Sequence, residues 1–153
     1  MVDAIRANAQ AHPEKMAIVC GDVRPSWGAF DRQINQVANL LLDGGLKKGA
    51  NRAVLSPNSD VYAVLFMGIL RAGGCVTPLS TMASPDALEK MLTDCGARAL
   101  FVADQYLSLV DGFAAGLDLA RYAIDFDHPA FEPLAPALQG AAVDDPLVPI
   151  QMT

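Results

Sequence analysis

An α/β fold with a mostly parallel sheet and helices on both faces is predicted by three observations. Apolar runs begin at Ala53, Cys75 and Ala99, 22 and 24 residues apart. Helix-patterned segments fill the intervals, with Ser-Pro-Asn, Arg-Ala-Gly-Gly and Cys-Gly punctuation between the elements. A strand–helix–strand repeat of this length gives parallel strands joined by right-handed crossovers.

The elements follow in order. Residues 2–11 are compatible with a helix that His12-Pro13 ends. Residues 17–20 and 23–26 flank Gly21-Asp22, a pair suited to a tight turn, and predict an N-terminal β-hairpin. Ser26 is placed to cap the clearest helix, in which Phe30, Ile34, Val37, Ala38 and Leu41 form one apolar stripe. Asp31, Arg32, Asn35, Gln36 and Asn39 make its opposite face, and Gly44-Gly45 supplies the stop. Residues 60–71 are apolar almost all round, which predicts a buried helix. Residues 84–95 carry Ser84 as cap, Pro85 at the first helical position and Gly96 as the closing residue. A shorter helix is expected at residues 106–115 and a fourth strand at 122–126. Beyond residue 126 the composition shifts, and five of the ten prolines lie at 129, 133, 136, 146 and 149. The expected organisation is an α/β subdomain over residues 1–126 and a Pro-rich, extended segment over 127–153.

Composition narrows the function classes. A net charge of −6 lacks the basic footprint that nucleic acid requires, so no nucleic-acid partner is expected. Apolar residues make up 52 %, which predicts a mixture of a parallel sheet buried on both faces and surface covered by another part of the protein, by a partner, or by a second copy in a homo-oligomer. Cys20, Cys75 and Cys95 are odd in number and widely spaced, and are expected as buried reduced thiols in a cytoplasmic protein. No CxxC, HExxH or Cys/His cluster occurs, and no metal held by protein ligands is expected. The apolar run through residues 61–79 contains Arg71, Gly73-Gly74 and Pro78, so it reads as a core helix and strand and no membrane span is expected. The two histidines, His12 and His128, each precede a proline and are expected at the surface. Asp125, Asp127, Asp144 and Asp145 are expected to terminate strands and form turns. Ser56 and Asn58 read as helix and turn caps, and Lys47-Lys48 as a solvated tip.

Three segments in fixed order resemble the adenylate-forming acyl-CoA synthetases: PSWGAFDRQINQVANLLL at residues 25–42, LRAGGCVTPL at 70–79, and Asp144-Asp145-Pro146 followed by Ile150-Gln151-Met152-Thr153. The resemblance covers nearly the whole chain from His12 onward and implies a piece of such an enzyme that stops before its phosphate loop. The family reaction it implies has two steps. ATP and a carboxylic acid give an acyl-adenylate and pyrophosphate, and the CoA thiol then displaces AMP. Adenylation gives the carboxylate a good leaving group, with Mg²⁺ and the phosphate loop neutralising the developing charge. ATP, Mg²⁺ and CoA are thus the cofactors implied for the full-length enzyme. None is expected on these residues alone, and no catalytic residue is assigned here. Thr153 aligns with the first residue of the phosphate loop. The turn Ser80-Thr81-Met82 stands where many relatives carry an arginine close to the CoA phosphates, and Met82 replaces that cation. The start of the chain leans toward free-standing CoA ligases over peptide-synthetase modules. Two further readings are a stand-alone Rossmann-like binding module, against which stands Ser-Pro-Asn in place of spaced glycines after the first strand, and a non-catalytic subunit of a split enzyme.

Overall fold

The computed structural model describes residues 1–149. Five parallel strands form one sheet in the order β2-β1-β3-β4-β5, where β1 is Asn51–Leu55, β2 Cys75–Pro78, β3 Ala99–Val102, β4 Ala120–Ala123 and β5 Glu132–Pro133. Along β1 and β3 every residue from Arg52 to Leu55 and from Ala99 to Val102 is buried, the continuous pattern of a strand covered on both faces. Alternate residues feed opposite layers. Val54, Ala99 and Phe101 pack on one side under α1 (Val2–Ala11), α2 (Trp27–Asp43), α3 (Asp60–Arg71) and α6 (Leu134–Gln139). Ala53, Leu55, Leu100 and Val102 pack on the other side under α4 (Pro85–Cys95) and α5 (Leu107–Val110). The expected fold class therefore holds.

Local chemistry sets the helix limits. The Ser26 and Ser84 hydroxyls accept from Ala29 N (3.2 Å) and Ala87 N (3.4 Å), so both predicted caps form. At the end of α2, Gly45 rather than Gly44 takes the left-handed conformation (φ 82°). Gly45 N donates to Leu42 O and Leu46 N to Leu41 O, the paired bonds of a Schellman ending. Helix α3 ends in the same way on Gly73 (φ 81°), with bonds from Gly73 N to Leu70 O and Gly74 N to Ile69 O.

Several expectations are corrected. The N-terminal hairpin closes through reciprocal bonds between Cys20 and Val23 around Gly21 (φ 57°), but it carries only isolated bridges, Met16 to Ser26 and Cys20 to Val23. Pro25 has no N–H to extend a ladder. The helix expected at 106–115 is broken into a 3₁₀ turn (Asp104–Tyr106), α5 and a second 3₁₀ turn (Ala114–Gly116). Strand β4 begins two residues before the predicted position. Past residue 126 the chain is more packed than its prolines suggest. Pro133 lies in edge strand β5, where a missing N–H is tolerated, and α6 follows at once with Leu134 buried. Cys75 is exposed at the start of edge strand β2, and Cys20 and Cys95 are half-buried, so none of the free thiols is the core residue expected.

Candidate functional site

In open parallel sheets, binding groups gather at the carboxyl ends of the strands where the strand order reverses. Here the reversal lies at β1, whose neighbours are β2 and β3. Past β1 the buried Ser56 donates its hydroxyl to Pro57 O (2.9 Å), and Ser59, not Ser56 or Asn58, caps α3 by accepting from Tyr62 N (3.0 Å). Past β2, Leu79 N donates to Val54 O (2.9 Å), and the predicted Ser80-Thr81-Met82 turn follows. Ser80 holds it together: its hydroxyl accepts from Met82 N (3.3 Å) and its carbonyl from Ala83 N (3.2 Å). Met82 is 94 % exposed. Past β3, Asp104 N donates to Asp125 Oδ1 (2.7 Å), tying the ends of β3 and β4 together. Two adjoining grooves of about 250 and 320 Å³ open at the ends of β4 and β5, sharing Ile124, Leu134 and Ala135.

Among the described residues this edge offers hydroxyls and backbone but no reactive constellation. Among the described residues no group of three or more His, Cys, Asp or Glu is placed to hold a metal ion. His12 is exposed. His128 is half-buried: Nδ1 accepts from Ala130 N (3.1 Å), Nε2 lies 3.5 Å from Asp111 Oδ1, and the ring stands edge-on to Phe131. It shapes a turn and is not simply solvated. Thr153, with Ile150, Gln151 and Met152, lies outside the described residues.

The feature that sequence reasoning missed is the polar face of α2. Three of its amides read main-chain carbonyls of α6 and of the segment that follows it. Gln36 Nε2 donates to Leu138 O (2.9 Å), Asn35 Nδ2 to Val143 O (2.9 Å), and Asn39 Nδ2 to both Ala142 O and Asp144 O (2.8 Å each). Asn35 is only 3 % exposed. Its amide has one usable orientation, because Oδ1 accepts from Arg71 Nη1 at 2.7 Å and Nδ2 must therefore face the tail. Arg71, fully buried at the end of α3, also donates to Asp31 Oδ1 (2.7 Å). From α1, Arg6 grips Asp145 through Nε and through Nη2 (3.0 Å). The only available signal was the clustering of three amides on one helix face, which fits a solvated surface equally well.

Burial alone would push the Asp145 carboxyl up. The hydrogen bonds from Arg6 and from Leu147 N, with the charges of Arg6 and Arg71, outweigh it and hold the carboxyl below its ordinary 3.8. The Asp145 hydrogen bond and charge raise Arg6 in turn, against burial. A carboxyl depressed in the folded state adds stability above its unfolded value, and that stability is lost as pH falls through the folded value. We expect the urea midpoint of the wild-type chain to exceed that of Asp145→Asn by a constant margin above about pH 5 and to converge with it below 3.8. An unchanging margin down to pH 2 would contradict the pairing. On the sheet, burial lowers Arg52 and raises Tyr122, whose ring stacks on Phe101 at 4.9 Å.

The fold and its carboxyl edge define a parallel α/β unit that, among the described residues, brings no cluster of metal-ligating side chains together. Residues 5–148 match the family described as AMP-binding enzyme, and the chain belongs to that family. It is 27 % identical over 146 residues to a long-chain-fatty-acid–CoA ligase of Mycobacterium tuberculosis, covering 94 % of this chain and 29 % of the ligase. It is 31 % identical over 124 residues to a linear gramicidin synthase of Brevibacillus parabrevis, covering 81 % of this chain and 2 % of the synthase. Among solved structures it superposes on a Mycobacterium tuberculosis fatty acyl CoA synthetase with a TM-score of 0.84 at 25 % identity, over 97 % of this chain and 30 % of that one. An anthranilate CoA ligase in complex with anthranoyl-AMP shares the fold, with a TM-score of 0.86 at 22 % identity over 94 % of this chain and 28 % of that one. The chain thus spans less than a third of each of these three ligases. Among the described residues no helix is long and apolar enough to cross a membrane.

Proposed function

We propose that this chain is the N-terminal scaffold of an ATP-dependent acyl-CoA ligase, which converts a carboxylic acid, ATP and CoA to acyl-CoA, AMP and pyrophosphate through an acyl-adenylate. The family match over residues 5–148 carries the reading. Coverage of the fatty-acid–CoA ligase over 94 % of this chain, against 81 % for the peptide synthetase, favours CoA over a carrier protein as acceptor. The described residues do not fit Mg²⁺ or the ATP phosphates, having neither an acidic cluster nor a glycine cradle after β1. No step is therefore routed through them. Their part is to hold the sheet edge and to lead the chain toward the segment at Thr153 that would grip ATP. The Ser80-Thr81-Met82 turn would face CoA with hydroxyls alone, so the CoA phosphates would need a cation from elsewhere. A cytoplasmic location fits CoA and ATP as substrates.

The test is pyrophosphate exchange into ATP, measured on the full-length polypeptide against a panel of carboxylic acids. Thioester formation is then compared with CoA and with a phosphopantetheinylated carrier protein. Acid-dependent exchange followed by acyl-CoA is expected from the full-length enzyme, and no exchange from residues 1–153 alone. Exchange by the short chain would place catalytic groups within it and overturn the scaffold reading. Transfer to the carrier protein only would reassign the acceptor.

A further inference from the structure

The backbone between α6 and Pro149 is held almost wholly by side chains of α1 and α2. Asn35 and Asn39 together engage the three consecutive carbonyls of Ala142, Val143 and Asp144, although this stretch belongs to no sheet. Every α2 donor reads a main-chain carbonyl, so the helix fixes the path of the segment whatever its side chains are. Two further observations mark the path as imposed. Leu147 is the only non-glycine among the described residues with positive φ (53°), a conformation that branched side chains avoid unless the surroundings enforce it. Asp145 Oδ1, itself bound by Arg6, accepts from Leu147 N (2.8 Å) at that bend. Val148 then lies against the α3 ending: its Cγ1 is 3.2 Å from where a Cβ on Gly73 would stand. Hydrogen bonds that a surface loop could otherwise make to water stabilise little in net terms. What this ladder secures is location.

We propose that Arg6, Asn35 and Asn39, with Arg71 orienting the Asn35 amide, are positioning residues for ATP that act by fixing residues 142–149. This rests on the reading that the ATP phosphate loop begins at Thr153. These side chains touch no substrate. They hold the described residues that precede the loop in sequence, and misplacing a binding segment by an ångström is enough to lose affinity and rate together.

The experiment uses the full-length enzyme. Asn39→Asp is nearly isosteric and turns a donor into a carboxylate facing two carbonyls. We expect kcat/KM for ATP to fall about tenfold to a hundredfold, while KM for the carboxylic acid stays within about twofold. If that variant does not fold, Arg6→Gln, which opens only the partly exposed Asp145 grip, should give the same split with a smaller loss. Asn39→Gln, which keeps an amide donor on a longer arm, should recover part of the ATP term. Unchanged ATP kinetics in a folded Asn39→Asp enzyme would overturn the inference while leaving the proposed function intact. Equal losses for ATP and acid together with a lowered melting temperature would make the ladder merely structural and also overturn it. A wild-type enzyme without any pyrophosphate exchange would remove the proposed function, and this inference with it.

Discussion

Gly68→Ala is expected to lower the stability of the chain by about 2 kcal/mol or more, although alanine is the better helix former by about 1 kcal/mol. Gly68 lies inside α3 where that helix crosses α2. A Cβ there would stand 2.4 Å from both Cβ and Cγ1 of Val37 and 3.2 Å from Ile34 O. Packed Cβ atoms do not approach so closely, and the obstruction begins at an atom bonded directly to the α2 backbone, so no rotamer change relieves it. The two helices must separate, and overpacking of this kind costs about 1–3 kcal/mol or more. Partner variants discriminate the cause. Val37→Ala removes Cγ1 but leaves the Cβ clash, and it should not rescue Gly68→Ala. Val37→Gly removes both atoms, so the Val37→Gly/Gly68→Ala chain should be more stable than the two single losses added together predict. Urea midpoints of the four chains measure this, and simple additivity would show that the glycine is not a packing requirement.

How far the fold was legible follows from which forces set each element. Helix α2 was readable almost to the residue, because its apolar stripe, its Ser26 cap and its glycine ending agree. Strands β1 and β3 were readable as continuous apolar runs, since burial on both faces removes any need for alternation. Strand β5 and α6 were not readable. Two residues of edge strand and a six-residue helix carry too little periodicity, and Pro133 and Pro136 argue locally against both. Tertiary contact with α2, through Leu138 O and Gln36, overrides that local preference.

The candidate site divides in the same way. The Ser80-Thr81-Met82 turn could be placed from sequence because a strand end and a Ser-rich break mark it locally. The hold of α2 on the segment after α6 could not, because its information is split between amides at residues 35–39 and carbonyls more than a hundred residues later. A carbonyl is present at every residue, so the acceptor side leaves no trace in the sequence.

The Asp31–Arg71 pair should respond asymmetrically to loss of its members. Arg71 is fully buried, whereas the Asp31 side chain is 19 % exposed. Among the described residues, only Nη1 of the guanidinium has partners, and Nε and Nη2 are buried without one. Asp31→Ala leaves the guanidinium charge enclosed with neutral hydrogen-bond acceptors alone. Stranding a buried charge in this way costs about 3–5 kcal/mol. Arg71→Met removes the buried charge together with its two unpaired donors and fills the space with an unbranched apolar chain, while Asp31 can turn to water. Met leaves the buried Asn35 Oδ1 without its donor, at a cost of about 1–3 kcal/mol, so a loss smaller than that of Asp31→Ala is expected. The Asp31→Ala/Arg71→Met chain should then resemble Arg71→Met alone. Thermal and urea unfolding of the three chains decides it. Should Arg71→Met prove the more damaging single change, the pair would be a net source of stability.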